Sequence, residues 1–487
     1  MAGRTEKVKA PSDNLRQQRM AFEAFAATLM PHELEYVSSR QNFKTNENRL
    51  ILSQLRESLL RPAQFRGFDR SIDKRHYSYV KKWIEEKLIA IDADVFFERL
   101  SELDKKIMTD ALSAEDERQM LAMIRASRNT DYYFVRFYEL IQNYRYYLLI
   151  RMRYNYLKTI NSYLETHREG WMRSKAINQE LHEATRDIVD QYALSTGESK
   201  HWEQRLISIF LDETLDGLNR YYAIVRLTFM YYNYKEYDKL LELYRQLDQL
   251  INSGIIYSRR ILANYYANLV LVHSRKNENE LAIYYGRLSI RHKGSDFLFY
   301  LTNLCSVLLR CGHHEESLRL LKSHLPEFRN TISPHNRIGF ASLYIQSLAF
   351  NGKAQQGLNF ARQFLDEFRQ ELFQFRWHLF FSSMLLAQFR LERYRDIIRT
   401  VRRYDLVRLE KGRIGRAGYI PYLQWFYEVA RYKECHIDAA GLTTVLRQSS
   451  AGLWHDPHRA RLMEDLLSEL RQHVFDLDIR AIHSESP

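Results

Sequence analysis

Leu301–Leu321 reads LTNLCSVLLRCGHHEESLRLL, an apolar helix, a short polar turn carrying Gly312, and a second apolar helix. The same plan recurs on both sides of it. Ala267–Leu288 reads ANLVLVHSRKNENELAIYYGRL, Ala341–Ala361 reads ASLYIQSLAFNGKAQQGLNFA, and Phe381–Val401 reads FSSMLLAQFRLERYRDIIRTV, while Val225–Leu247 supplies an earlier copy, VRLTFMYYNYKEYDKLLELYRQL. Aligning the small or aliphatic residue just inside each second helix picks out Leu240, Ala282, Ser317, Gly357 and Ile397, with Ala439 as a sixth, at intervals of 42, 35, 40, 40 and 42. A recurring two-helix unit cannot bury both of its apolar sides alone; stacked in series, such units make one continuous core.

Composition points the same way. The 487 residues include only 8 Pro and 17 Gly, and neither occurs between Gly67 and Gly170. Strands need frequent Gly, Pro or Asn turns, so a segment of that length without Gly or Pro predicts helices. The expected fold is all-α.

The repeat resembles the tetratricopeptide repeat, in which an aliphatic and small pair, a later aromatic, a turn Gly and an early Ala in the second helix recur. Leu269, Ala282, Leu304, Gly312, Tyr344, Gly352, Phe389 and Tyr394 stand at or near such positions. The intervals are longer than the family's 34 residues except once, where 35 comes within a residue of it, and the family's terminal Pro is mostly missing. The resemblance covers residues 217 to 450 and implies a helical-repeat α-solenoid whose first helices line a concave face. On that face it would place Arg226, Asn268, Arg275, Asn303, Ser306, Arg310, Gln346, Ser383 and Arg390, a polar set with arginines and no acid. Such a set suits the backbone and acidic groups of an extended peptide. The Lys and Asn pattern with which some family members hold a C-terminal carboxylate is not reproduced.

Ahead of the repeats the chain predicts an N-terminal helical module over 19–196. Helices are expected over Met20–Met30, from Pro31, over Asn46–Leu60, after an N-cap at Ser71, after a cap at Asp92 or Asp94, and after Ser113, whose following acids suit a helix N-terminus. The stretch Thr130–Arg168 is apolar on several faces and predicts a long central helix, broken once at most. Residues 1–18 carry Arg4, Lys7, Lys9 and Arg16 and predict a basic flexible arm; the repeat array is assigned to 197–475 and a flexible tail to 476–487.

Net charge is +12, from 72 Lys and Arg against 60 Asp and Glu. The densest basic run is Arg395–Arg416, eight cations against three acids, with Arg395, Arg399 and Arg402 along one helix side, followed by Arg403, Lys411, Arg413 and Arg416. It is the sequence's best place for phosphate or nucleic acid. The glycine-dense KGRIGRAG over 411–418 lacks the preceding strand that a phosphate loop needs. His313 with His314, and His455 with His458, lack metal-ligand spacing. Cys305, Cys311 and Cys435 form no CxxC pair, and no nucleophile, kinase or nucleotide signature is present, so no catalytic residue, metal or cofactor is expected. No uncharged stretch approaches the ~20 residues of a membrane span, and Met1–Arg19 has no apolar signal-peptide core. The expectation is a cytoplasmic, nonenzymatic scaffold for a protein or peptide of unknown identity, with nucleic acid as the alternative partner.

Overall fold

The computed structural model describes residues 22–61, 64–194, 198–415, 419–474 and 482, and among them every regular element is a helix and none is a strand. The expected arm at 1–18 and, save Ile482, the expected tail at 476–487 lie outside the described residues. The chain divides into two compact units, Met1–Asn264 and Tyr265–Pro487. No described helix is long and apolar enough to cross a membrane.

One device ends helix after helix. Two residues beyond the last helical position, the backbone turns left-handed: Asp110, Met152, Lys235, Asn277, Gly312, Gly352, Glu392 and Cys435 all have φ between 53° and 79°. The amide that follows each of them donates to a carbonyl five residues back, as in Glu236 to Tyr231, His313 to Leu308, Lys353 to Leu348 and Arg393 to Gln388, at 2.8–3.0 Å. This closes the orphan carbonyls of the helix end and sets the next helix against the one just finished. From Lys235 to Cys435 the left-handed residue recurs at 42, 35, 40, 40 and 43 residues, the sequence repeat seen from its turns. Only Gly312 and Gly352 are free of the Cβ clash of that conformation; the other turns carry a cost of about 1 kcal/mol each.

In the first unit the Asn46–Leu60 helix falls where its sequence predicts. Pro31 opens the Pro31–Ser39 helix, where a missing amide costs nothing. Asp92 caps the Ala93–Met108 helix, and Ser113 with Asp116 forms a reciprocal capping box on Ala114–Ala126. The cap of Lys74–Ile89 is Asp73, not Ser71: the Asp73 carboxylate takes the Arg75 amide, whereas the Ser71 hydroxyl is spent on Asp69. The long apolar stretch is broken once, between Phe134–Ile150 and a 38-residue helix, Leu157–Leu194. Phe137, Ile141, Tyr144 and Leu148 of the shorter helix are buried with Leu100 and Leu103 of Ala93–Met108 and Ile160 of the longer one. Leu157–Leu194 in turn packs on Gly217–Asn233, so helices on both sides of residue 197 share this unit.

A long-range return then closes the unit. The Pro31–Ser39 helix packs on Tyr237–Ser253. Glu33, 1% exposed, accepts from the Met30 amide at 2.9 Å, the Tyr257 hydroxyl at 2.7 Å and Arg259 Nε at 2.8 Å. A buried carboxylate is tolerable only with its lone pairs filled in this way. Burial and the facing Glu33 push the Tyr257 hydroxyl well above its usual pKa, so it stays a donor. Alongside, Asp94 grips Arg260 through two bonds of 2.8 and 3.0 Å, and the Ala93 amide donates to the Tyr257 carbonyl.

The second unit is a series of hairpins. Phe297–Arg310 packs on His314–Ser323 and Pro334–Phe350; Pro334–Phe350 on Ala354–Gln374 and Trp377–Arg390; Trp377–Arg390 on Tyr394–Arg403 and Tyr422–Lys433. Each first helix therefore touches its own partner and the first helix of the next hairpin. Small residues set the approach. A Cβ on Gly357 would stand 3.2 Å from the Ile345 carbonyl oxygen, one on Gly286 would meet Leu304, and the buried hydroxyls of Ser317 and Ser347 meet at 2.8 Å. Between them lie fully buried rings, among them Phe340, Phe380, Phe389 and Trp425, each contributing about 2–3 kcal/mol of hydrophobic stabilisation.

Two substitutions read these constraints separately in denaturant titrations. Gly357→Val pushes a branched side chain against a backbone oxygen and lowers stability by about 2 kcal/mol. Glu392→Gly relieves a left-handed Glu and raises stability by about 0.5–1 kcal/mol; a loss there would contradict the role given to the turn.

Candidate partner-binding face

Of the residues expected on the concave face, three arginines at first-helix C-termini carry the chemistry: Arg275, Arg310 and Arg390 each end a helix. Cations are favoured there by the helix dipole. Arg310 donates to the Ser274 hydroxyl at 2.7 Å, while its Nε is buried without a hydrogen-bond partner. Burial lowers the pKa of its guanidinium, Asp465 opposes that shift, and Arg461 and Arg275 add to it, so all four groups lie within electrostatic reach of one another. Arg390 makes a bidentate pair with Glu469, 2.6 and 2.7 Å, and sits 4.2 Å over the Phe350 ring. The last of these is a stacked, half-buried cation, stronger than an exposed pair.

The acids in these contacts, Asp465 and Glu469, come from one helix, Pro457–Arg471, capped by Asp456. His455 and His458, which lack metal-ligand spacing, flank the Asp456 cap and the Pro457 that opens this helix. Met463, Leu466, Leu467 and Leu470 of this helix are buried in the core of the unit. Beyond its end, His473 Nδ1 lies 2.8 Å from the Tyr394 hydroxyl and its ring 4.2 Å from that of Phe389. At the other end, His458 is pushed down to a pKa of about 4 by burial and by Arg275 and Arg310, and so is neutral near pH 7. The helix packs on Tyr422–Lys433 and reaches the end of Trp377–Arg390 through Glu469. Its signal in the sequence was the 3 and 4 spacing of Met463, Leu466, Leu467 and Leu470 with Glu469 beside them.

The remaining expected positions are placed differently. Arg226 is 8% exposed and donates to the carbonyls of Leu181 and Tyr222 at 2.8 and 2.7 Å, with burial lowering its pKa to about 10. It is an internal tie of the first unit rather than an outward side chain. Ser383 is fully buried and bonds the Leu379 carbonyl. Asn268, Gln346 and Asn303 are half-buried, Asn303 with a buried Nδ2 lacking a hydrogen-bond partner, and Ser306 is exposed.

The basic run behaves as a solvated helix side with local acids. Arg395 pairs with Glu434 at 2.7 Å, Arg399 with Asp396 at 3.3 Å, and Arg408 with Asp405. Arg402 donates to the Tyr427 hydroxyl, Arg403 lies over the Tyr404 ring, Lys411 is exposed, Arg413 is half-buried, and Arg416 lies outside the described residues. Just before the glycine-dense loop, Glu410 is buried and accepts the Leu423 and Gln424 amides at 3.0 and 2.8 Å, capping the next helix from a distance. Burial raises its pKa to about 7, against the pull of those two amides and of Arg413. Among the described residues no three His, Cys, Asp or Glu side chains gather as a metal-holding cluster.

No protein-family model matches the chain, and no curated protein and no solved structure is significantly similar to it.

Glu410 gives a pH signature. Because its pKa is about 7 in the folded chain against 4.5 ordinarily, its contribution to stability is complete below pH 4.5 and is lost as pH rises through 7. Glu410→Gln removes that slope between pH 4.5 and 7 in urea titrations while keeping one acceptor for the helix amides; an unchanged slope would locate the titration elsewhere.

Proposed function

We propose that this chain is a nonenzymatic, cytoplasmic scaffold that binds a protein segment along the arginine-bearing ends of the first helices of its second unit, which we read as a solenoid resembling tetratricopeptide repeats. The observation that carries this reading is the seat of the Pro457–Arg471 helix: an amphipathic helix with carboxylates four residues apart lies on that face, with Glu469 on Arg390 and Asp465 near Arg310. A surface that holds one such helix has the shape and charge for a helix-in-groove partner. The serial packing of the hairpins supports an extended face, and the repeated left-handed turns support the kinship with helical repeats. Nucleic acid is the weaker reading, since Glu434, Asp396 and Asp405 offset three arginines of the run that would hold it.

A library of helical peptides displayed on phage and selected on the full chain tests this. Acid-bearing amphipathic sequences are expected to be enriched, and their affinity to fall at least tenfold in the Arg275→Ala, Arg310→Ala double variant. Absence of any enriched peptide, together with tight oligonucleotide binding that collapses with added salt, would replace the scaffold with the nucleic-acid reading.

A further inference from the structure

Two helices of the first unit begin side by side. Asn48, in the first turn of Asn46–Leu60, is 7% exposed, and its Oδ1 lies 2.7 Å from Nδ1 of His76 in the first turn of Lys74–Ile89. Arg49 Nε donates to the Phe43 carbonyl at 2.8 Å, and the Phe43 ring stands 4.6 Å from that of Trp83, so the residues ahead of Asn46 are held against the second helix. Between them lies an open recess of about 490 Å³, a size usual for small-molecule sites. Its lining offers donors and no acid: Lys44, Arg75 and His76 bring nitrogen and Thr45 a hydroxyl, while no Asp or Glu takes part. Among the described residues the Lys44 ammonium and the Arg75 guanidinium make no ion pair or hydrogen bond. Nδ2 of the buried Asn48 likewise has no acceptor and is not closed off from solvent, which leaves it the recess. The amides of Asn46, Glu47 and Asn48 also lack acceptors, because the Thr45 side chain does not cap its helix. The acids closest in sequence are placed elsewhere, Asp73 on the Arg75 amide and Glu47 exposed outside the lining. Donors and positive helix ends therefore converge on one space with nothing negative in it.

We propose that this recess binds a nucleoside monophosphate, with the phosphate held by Lys44, Arg75 and Asn48 Nδ2 and the base laid on the ring of Tyr79. Tyr79 lines the recess, is 54% exposed, and stands 6.1 Å from the Phe43 ring. An exposed aromatic face of this kind takes a base by stacking. Asn42, exposed and with its side-chain amide unpaired, adds the adjacent donor and acceptor that the edge of adenine matches. A phenyl ring would stack as well but has no such edge, which favours a nucleotide over a phosphorylated tyrosine. The site goes beyond the scaffold reading, which concerns the second unit alone.

Isothermal titration of the full chain with AMP, adenosine, inorganic phosphate and phenyl phosphate tests the site. AMP is expected to bind about tenfold more tightly than adenosine or inorganic phosphate, and about tenfold more weakly to the Lys44→Ala, Arg75→Ala double variant than to the wild type. Tyr79→Ala is expected to weaken AMP about fivefold and to leave inorganic phosphate as it was. All three side chains are exposed, so thermal melts matching the wild type are expected and show that the variants fold. The proposal is overturned if adenosine or inorganic phosphate binds as well as AMP, or if the double variant keeps the wild-type affinity for AMP. It is overturned too if phenyl phosphate binds as tightly as AMP, which would assign the recess to a phosphotyrosine of a partner protein. Helical peptides selected on the full chain are expected to bind the double variant unchanged, so this site and the scaffold reading can each fail alone.

Discussion

The left-handed residue that follows each first helix is the constraint on which the rest depends. It reverses the chain within a few residues, so the apolar sides of two successive helices have nowhere to go but against each other and against the next pair. Most of these positions are not glycine: Lys235, Asn277, Glu392 and Cys435 hold the same turn as Gly312 and Gly352. The six left-handed residues that follow first helices between Lys235 and Cys435, four of them with side chains, show that packing gains in the stacked helices outweigh about 1 kcal/mol of local strain at each turn.

Polar groups sort by how completely they are paired. Glu33 is buried among three donors and joins segments more than 200 residues apart in sequence, and Arg226 is spent on two carbonyls. Both are structural. Among the arginines at the ends of the second unit's first helices, Arg390 is held twice by Glu469, whereas the Nε of Arg310 is buried without a hydrogen-bond partner. A buried donor left without an acceptor costs stability.

The arginine run at 395–416 shows the opposite case. Its charge density stood out in the sequence, yet Glu434, Asp396 and Asp405 lie beside its exposed guanidiniums. Two of those acids are three residues from their partners and one lies 39 residues away on another helix. A count of charges along the chain sees the first kind of pairing poorly and the second not at all.

The sequence by itself determined that the chain is helical, where most helices begin, and that two-helix units recur at about 40 residues, because amphipathic spacing, capping residues and the scarcity of Gly and Pro are local properties. Arg275, Arg310 and Arg390 were legible as a set because the repeat places them at equivalent helix ends. Arg226 and Ser383 belonged to the same set by spacing, and only packing turned them inward. Only the tertiary structure decided that Pro31–Ser39 returns to Tyr237–Ser253, that Asp73 rather than Ser71 caps its helix, and that Pro457–Arg471 lies on the arginine-bearing face. Those outcomes rest on contacts between residues far apart in the chain, where the energy lies in burying a shared surface and periodicity carries no trace of the partner.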